Sequence, residues 1–425
     1  MCLPTVSSSP QRTTSEDHAW LRRRFGGPEF WALEPDITFL NHGAFGSCPR
    51  PVLAQQRALQ DRLEQQPVRF FVDEFEALWD AARAEVARFV GARMEDVVFV
   101  RNATEGVNIL LRAFPLAAAD EVLVTDHEYN ACRNALEAVC AERAARVRVV
   151  SIPFPLTEAA VLMERFLDAI GPRTRLALLD HVTSPTGLVL PVAELGRALA
   201  ARGVEVIVDG AHGPGLVPVE LERLGVLGYA GNCHKWLCAP KGAGLLYVRS
   251  DFQGRVRPLI ISHGANSTRT DRSRFLLEFG WMGTMDPTPW LCVPEAIRAL
   301  EPLLPGGWSE IRKRNRELAV RARRFLCGVL ELDPPAPEPM LAAMAALPLP
   351  AGTPTEAEQI RNALDPLRNW LWERYRIEVP VFPWPRPPHR LLRISAHLYN
   401  AWADYERLAE ALQQWRKEQP VRTGW

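Results

Sequence analysis

Short runs rich in Val, Leu and Ile recur along this chain at Val97–Val100, Val122–Thr125, Val147–Ile152, Leu176–Leu179, Val204–Val208 and Leu245–Val248. Between several of them lie Ala/Leu/Arg/Glu stretches with apolar residues three and four apart, at Glu74–Val90, Glu105–Ala113, Ala131–Glu142 and Val192–Ala201. The first pattern reads as strand and the second as helix. Strand and helix alternating in this way predict a mostly parallel sheet covered by helices on both faces. Ligands of such sheets bind at the carboxyl ends of the strands, so function is to be sought there.

The alternation fades after about Pro294. A long helical region follows (Glu295–Leu332), then a Pro-rich stretch (Asp333–Pro354) interrupted by a possible edge strand at Met340–Leu349. Another helix near Thr355–Tyr375, a short strand and a closing helix at Asp404–Arg416 complete the chain. With 425 residues there is enough chain for more than one core. The expected division is a leader over 1–18, a large domain over 19–294 that includes a docking segment His18–Phe39, and a smaller α+β domain over 295–425.

Charge and cysteine usage narrow the partners. Fifty basic residues balance fifty acidic ones, so the long-range field of a nucleic-acid or membrane-surface binder is absent. The eight cysteines show no C-x-x-C and no zinc-ligand spacing, and read as reduced, mostly buried thiols. No metal site is expected. The first twenty residues lack the apolar core of a signal peptide, and no apolar run reaches 18 residues. A cytoplasmic protein is the expectation.

Six histidines (His42, His127, His181, His212, His234, His263) fall in the first two thirds, most of them at or beyond strand ends. The strand Val204–Val208 runs into Asp209-Gly210-Ala211-His212, and 26 residues after Asp209 come His234 and Lys235. An acidic side chain at a strand tip can hold a protonated pyridine nitrogen, and a lysine of depressed pKa can form a Schiff base, the pair that pyridoxal phosphate requires. The strand ending at Val100 leads through Asn102-Ala103-Thr104 into a helix whose N-terminus can take an anion. Each feature alone also fits a turn, a solvated lysine or a plain helix cap.

Taken in order, Leu40–Gly46, Asn102–Gly106, Asp126–Asn130, His181–Gly187, Asp209–His212, His234–Lys235 and Arg393–Ala396 resemble the motifs of the class V aminotransferase family of fold type I pyridoxal phosphate enzymes, most closely its isopenicillin N epimerase-like branch. The resemblance runs from about Phe39 to the end. It implies a seven-stranded, mostly parallel sheet sandwiched by helices, a smaller C-terminal α+β domain, pyridoxal 5'-phosphate as cofactor, and a homodimer with shared active sites.

The resemblance also implies roles. Lys235 would carry the cofactor as a Schiff base and move the proton at the substrate α carbon, and Asp209 would fix the pyridinium proton. His212 and Ser184 would approach the phenolic oxygen, Ser184 standing where many relatives have Asn. Tyr129 would stack on the ring, with His127 as the competing register. Asn102, Ala103, Thr104 and His234 would surround the phosphate, completed by Gly283 and Thr284 of the other subunit. Asn41, His42, Gly43, Ala44 and Arg393 would meet the substrate, Arg393 through its carboxylate and with Arg390 as a rival. Val379–Pro388 lacks the mobile cysteine that desulfurases of the family carry before that arginine.

The expected activity is epimerisation at the α carbon of an amino acid or peptide-like amine. Carbon–sulfur lysis of a cysteine conjugate or sulfoxide, transamination, and a cofactor-binding sensor without turnover are the alternatives. No Gly-x-Gly-x-x-Gly turn, Gly-x-Ser-x-Gly elbow or His-Glu-x-x-His helix supports a dehydrogenase or a hydrolase.

Overall fold

Seven strands meet in one sheet in the computed structural model, which describes residues 29–352 and 365–418 together with Gly27. They are β1 (Val97–Val100), β2 (Glu121–Thr125), β3 (Arg146–Val150), β4 (Thr174–Asp180), β5 (Glu205–Gly210), β6 (Gly228–Asn232) and β7 (Gly244–Val248). The spatial order is β1-β7-β6-β5-β4-β2-β3. Only β7 runs antiparallel to its neighbours, so the carboxyl ends of the other six share one edge.

Helices α1 (Arg50–Gln65), α2 (Phe75–Phe89), α3 (Ala103–Ala113), α4 (Asn130–Glu142), α5 (Ala160–Asp168) and α6 (Val192–Ala200) accompany this sheet. Alternate strand residues enter two separate apolar clusters: Phe99, Leu123, Ala177 and Val208 on one face, Val98, Val124, Leu178 and Ile207 on the other. Near-continuous Val/Leu/Ile runs are what a sheet buried on both faces requires.

One strand was not signalled by its residues. The segment Gly228-Tyr229-Ala230-Gly231-Asn232 has no β-branched residue, yet it forms β6 because small side chains let α3 lie close against it. A Cβ on Gly106 of α3 would stand 2.6 Å from the Cβ of Ala230, and one on Gly228 would meet Leu110 of α3 at 2.5 Å.

The C-terminal part contains α7 (Val293–Leu300), α8 (Gly307–Leu330), α9 (Pro366–Tyr375) and α10 (Trp402–Glu418) around an antiparallel sheet of order β9-β10-β8. Its strands are β8 (Met344–Leu349), β9 (Val381–Pro383) and β10 (Arg390–Ser395). The edge strand expected at Met340–Leu349 is β8. The helix expected over Glu295–Leu332 is broken in two, since Pro302, Pro305, Gly306 and Gly307 interrupt it. Of the helix near Thr355–Tyr375, only the part from Pro366 lies within the described residues. The leader 1–18 and Cys2 lie outside them. The other seven cysteines are buried and free.

The docking segment inserts Trp31, 1% exposed, edge-on against His397 and Tyr399. Thr38–Phe39 pairs in parallel with Ile377–Glu378. The stretch 40–46 is thereby laid between the C-terminal sheet and the edge of the large one where the strands end.

Candidate active site

Asp180, Asp209 and Asn232 end β4, β5 and β6, and Asp180 and Asp209 are direct partners across the parallel ladder. Together with the start of α3 and the loop after β6 they line a cavity of about 210 Å³, whose walls also carry Thr104, Tyr129, Ser184, His212, His234 and Lys235. The strand-tip acid and the lysine thus face one space.

Lys235 is partly buried, and its Nζ lies 3.3 Å from Nε2 of His212. Burial, helped by the positive Arg393, pulls the Lys235 amine down from 10.5 to about 8, against the pull of Asp209. Such an amine is a nucleophile near neutral pH. His212 is held neutral by burial and by the nearby charges of Lys235 and Arg393. Its Nδ1 accepts from the Trp236 indole at 3.1 Å.

Asp209 accepts from the Cys132 thiol at 2.9 Å and from the Ala211 backbone N–H at 2.9 Å. Burial raises its carboxyl, while the Cys132 thiol, the Ala211 N–H and Lys235 draw it back toward the charged form. Burial, then the charge of Asp209, lifts Asp180 well above the usual carboxylate range. Glu128 is raised likewise, by burial first and then by the charges of Asp180 and Asp209. One oxygen each of Asp180 and Glu128 has no partner. Asp180, Glu128, Cys132 and Asn232 were not singled out from sequence. Position at a strand end was the available signal for Asp180. For Cys132 it was a place three residues beyond Tyr129, one turn into α4.

At the start of α3, Asn102 does what a helix cap does, accepting from the Glu105 N–H at 2.9 Å. The Ala103 N–H is committed to Oδ1 of Asn232 at 2.9 Å. That N–H is thus already bonded in this structure, while Asn102, Ala103, Thr104 and His234 all line the cavity there. Nδ1 of His234 is bound to the Ala243 carbonyl, and burial lowers the ring to about 4.

Tyr129 lines the cavity and is 46% exposed. His127 does not line it, being bonded to Thr186 at 2.8 Å and the Ile152 carbonyl at 2.9 Å. Between these two registers the geometry selects Tyr129. Arg393 is buried behind the cavity wall, donating to the carbonyl and hydroxyl oxygens of Ser184, with its Nε unpaired. Its rival Arg390 is occupied by a buried ion pair in which one guanidinium nitrogen donates to both carboxylate oxygens of Asp365 at 3.0 Å.

Of Asn41–Ala44 only Ala44 lines the cavity. Asn41 donates to Glu378, and the Gly43 N–H to Ser395. His42 is fully buried between Tyr399 and the Lys235 backbone carbonyl, stacked on His397 at 4.0 Å. These three residues do not line the cavity within one chain, although the buried Oδ1 of Asn41 is left without a hydrogen-bond partner. Gly283 and Thr284 do not line it either. Thr284 is exposed and borders a different cleft of about 450 Å³, beside Phe71 and Met285.

The donor set fits pyridoxal phosphate. A buried carboxylate met by two donors, a low-pKa amine, an aromatic ring and a helix N-terminus surround one cavity.

The family profile described as Aminotransferase class-V matches residues 40–333. The chain is 38% identical to isopenicillin N epimerase of Amycolatopsis lactamdurans, over 94% of this chain and 99% of that one. It is 33% identical to a probable chloroplastic L-cysteine desulfhydrase of Arabidopsis thaliana, over 90% of this chain and 84% of that one. Among solved structures, the cystine C-S lyase C-DES superposes with a TM-score of 0.72 at 24% identity, covering 89% of this chain and 97% of that one. The Escherichia coli cysteine desulfurase CsdA gives 0.73 at 20%, covering 93% and 97%. The last two establish likeness of fold.

Proposed function

Because the chain belongs to the class V aminotransferase family, a family of pyridoxal phosphate enzymes, we propose that it epimerises the α carbon of an amino acid or peptide-like amine. The cofactor, once bound, supplies an aldehyde for the amine and a ring that accepts the electron pair left by the α proton. Every other task falls to side chains of this protein.

Lys235 would hold that aldehyde through Nζ, and the same nitrogen would take the α proton of the substrate. Asp209 holds the proton on the ring nitrogen, its charge supported by Cys132 and Ala211. Tyr129 would pack on the ring. His212 and Ser184 stand on the phenolic side, while Thr104 and His234 serve the phosphate. Arg393, already drawn to Ser184, grips the substrate carboxylate by a paired hydrogen bond.

The observation that carries epimerisation is that Lys235 and Tyr129, two residues able to carry a proton, line the same cavity. Inversion needs a second proton-bearing group besides the lysine, and loss of a β substituent does not. The similarity to enzymes named isopenicillin N epimerase across nearly the whole chain agrees. The second reading, carbon–sulfur lysis, is favoured by the similarity to an enzyme named L-cysteine desulfhydrase.

We further propose a homodimer. Gly283 and Thr284 lie outside the cavity of their own chain, which is the arrangement expected if they complete the phosphate site of a partner copy. We also propose a division into a large domain over 19–294 and a small one over 295–425, each with a sheet of its own.

The deciding experiment incubates the purified holoenzyme with amino acids and cysteine conjugates in deuterated water. Solvent deuterium at the α carbon with inversion is expected. Pyruvate with release of the sulfur group would replace epimerisation by lysis, and a keto acid retaining its side chain would replace it by transamination.

A further inference from the structure

The rings around Lys235 form a chain in which each proton can be placed. Trp236 follows Lys235 directly, is 2% exposed, and donates from Nε1 to Nδ1 of His212 at 3.1 Å. An indole N–H only donates, so Nδ1 of His212 presents a lone pair. A neutral imidazole has one ring proton, which must then sit on Nε2. That nitrogen lies 3.3 Å from Nζ of Lys235. An N–H aimed at an ammonium sets donor against donor, whereas aimed at an uncharged amine it finds a lone pair.

The backbone of the same lysine is fixed by similar reasoning. The Lys235 carbonyl accepts from Nε2 of His42 at 3.1 Å, so the His42 proton is on Nε2, and its Nδ1 accepts from the Tyr399 hydroxyl at 2.7 Å. Gly46, at φ +70°, has no room for a Cβ, which would stand 2.7 Å from that carbonyl oxygen.

We propose that Trp236 is a positioning residue that sets the tautomer of His212 and thereby keeps the amine of Lys235 in its free-base form. The proposal rests on Lys235 being the amine that carries the cofactor. The groups facing Lys235 divide. Arg393 on β10 favours loss of its proton, while Asp209 on β5 and Cys132 on α4 oppose it. His212 itself faces Lys235, Arg393 and His42. None of these distinguishes one ring nitrogen of His212 from the other. The indole does.

The test uses cofactor-free protein with ¹⁵N-labelled histidine, the His212 signals being assigned by their loss in His212→Asn. At pH 7 the wild type should show a bare Nδ1 and a protonated Nε2. Trp236→Phe keeps a ring in place and removes only the donor. In it, the proton should move toward Nδ1, leaving Nε2 free to accept from an ammonium. The midpoint for uptake of added pyridoxal phosphate against pH should then rise by about one unit, so that uptake at pH 7 is roughly tenfold slower.

A wild-type His212 protonated at Nδ1 overturns the proposal whether or not the variant folds. A variant whose midpoint stays in place overturns it as well. Borohydride fixation and peptide mapping of the same wild-type sample test the underlying reading separately. Label on a residue other than 235 would remove the lysine assignment and leave the tautomer result standing.

Discussion

The thiol of Cys132 donates to Oδ2 of Asp209 at 2.9 Å, joining the third residue of α4 to the carboxylate near the tip of β5. A buried carboxylate keeps its charge only when its lone pairs are met by donors, and Cys132 is one of the two that meet Asp209. Replacing Cys132 by Ala should let the Asp209 carboxyl rise and weaken its hold on a protonated ring nitrogen. Hydrogen bonds to charged groups contribute about 1.5–3 kcal/mol, so the cofactor should be lost at least about tenfold faster on dilution. Cys132→Ser, which keeps a donor, should lie between the two. Equal retention by Ala and wild type would show that the thiol does not support the charge. Absorbance after gel filtration provides the measurement.

Lys235 should destabilise the cofactor-free protein. Its amine is lowered from 10.5 to about 8 in the fold, so between those pH values the unfolded chain binds a proton that the folded chain does not. By linkage, stability from this group rises with pH across that window and is at its lowest below about pH 8, by up to about 3 kcal/mol. Lys235→Met should therefore raise the thermal midpoint of the cofactor-free protein at pH 7, and the gain should shrink toward zero near pH 10.5. A gain of the same size at both pH values would mean that the lowered amine is not its cause. Thermal melts at the two pH values decide this.

Thr284→Val tests the shared site. It should shorten cofactor retention by about tenfold, the cost of one hydrogen bond to a charged group, without changing the melting temperature of the cofactor-free protein, because Thr284 is exposed in its own chain. A monomer by light scattering that retains the cofactor normally would contradict a site completed by a second copy.

Much of this site was legible because its chemistry sits where strands end. Asp209 and His212 follow a run whose Val/Ile content marks it as a buried strand, and the structure brings them to one cavity with His234 and Lys235. What escaped was written in tertiary contacts. Strand β6 is made of residues chosen for smallness against α3, so its tip residue Asn232 was invisible, and with it the capture of the Ala103 N–H. The asparagine and histidine of the Asn41–Gly43 segment look in sequence like residues for a ligand. In the fold their polar groups meet Glu378, Tyr399 and a main-chain carbonyl instead. Arg390 and Arg393 alternate along one strand, and only the distant Asp365 shows which of them is already paired.

The most direct measurement of the central claim is borohydride reduction of the yellow holoenzyme followed by proteolysis and mass spectrometry. The reduced cofactor should be found on the peptide carrying Lys235, and Lys235→Ala should be colourless under the same treatment. Reduced cofactor on another residue, or an unchanged absorbance spectrum in the Ala variant, would contradict the assignment of Lys235 as the amine from which the reaction starts.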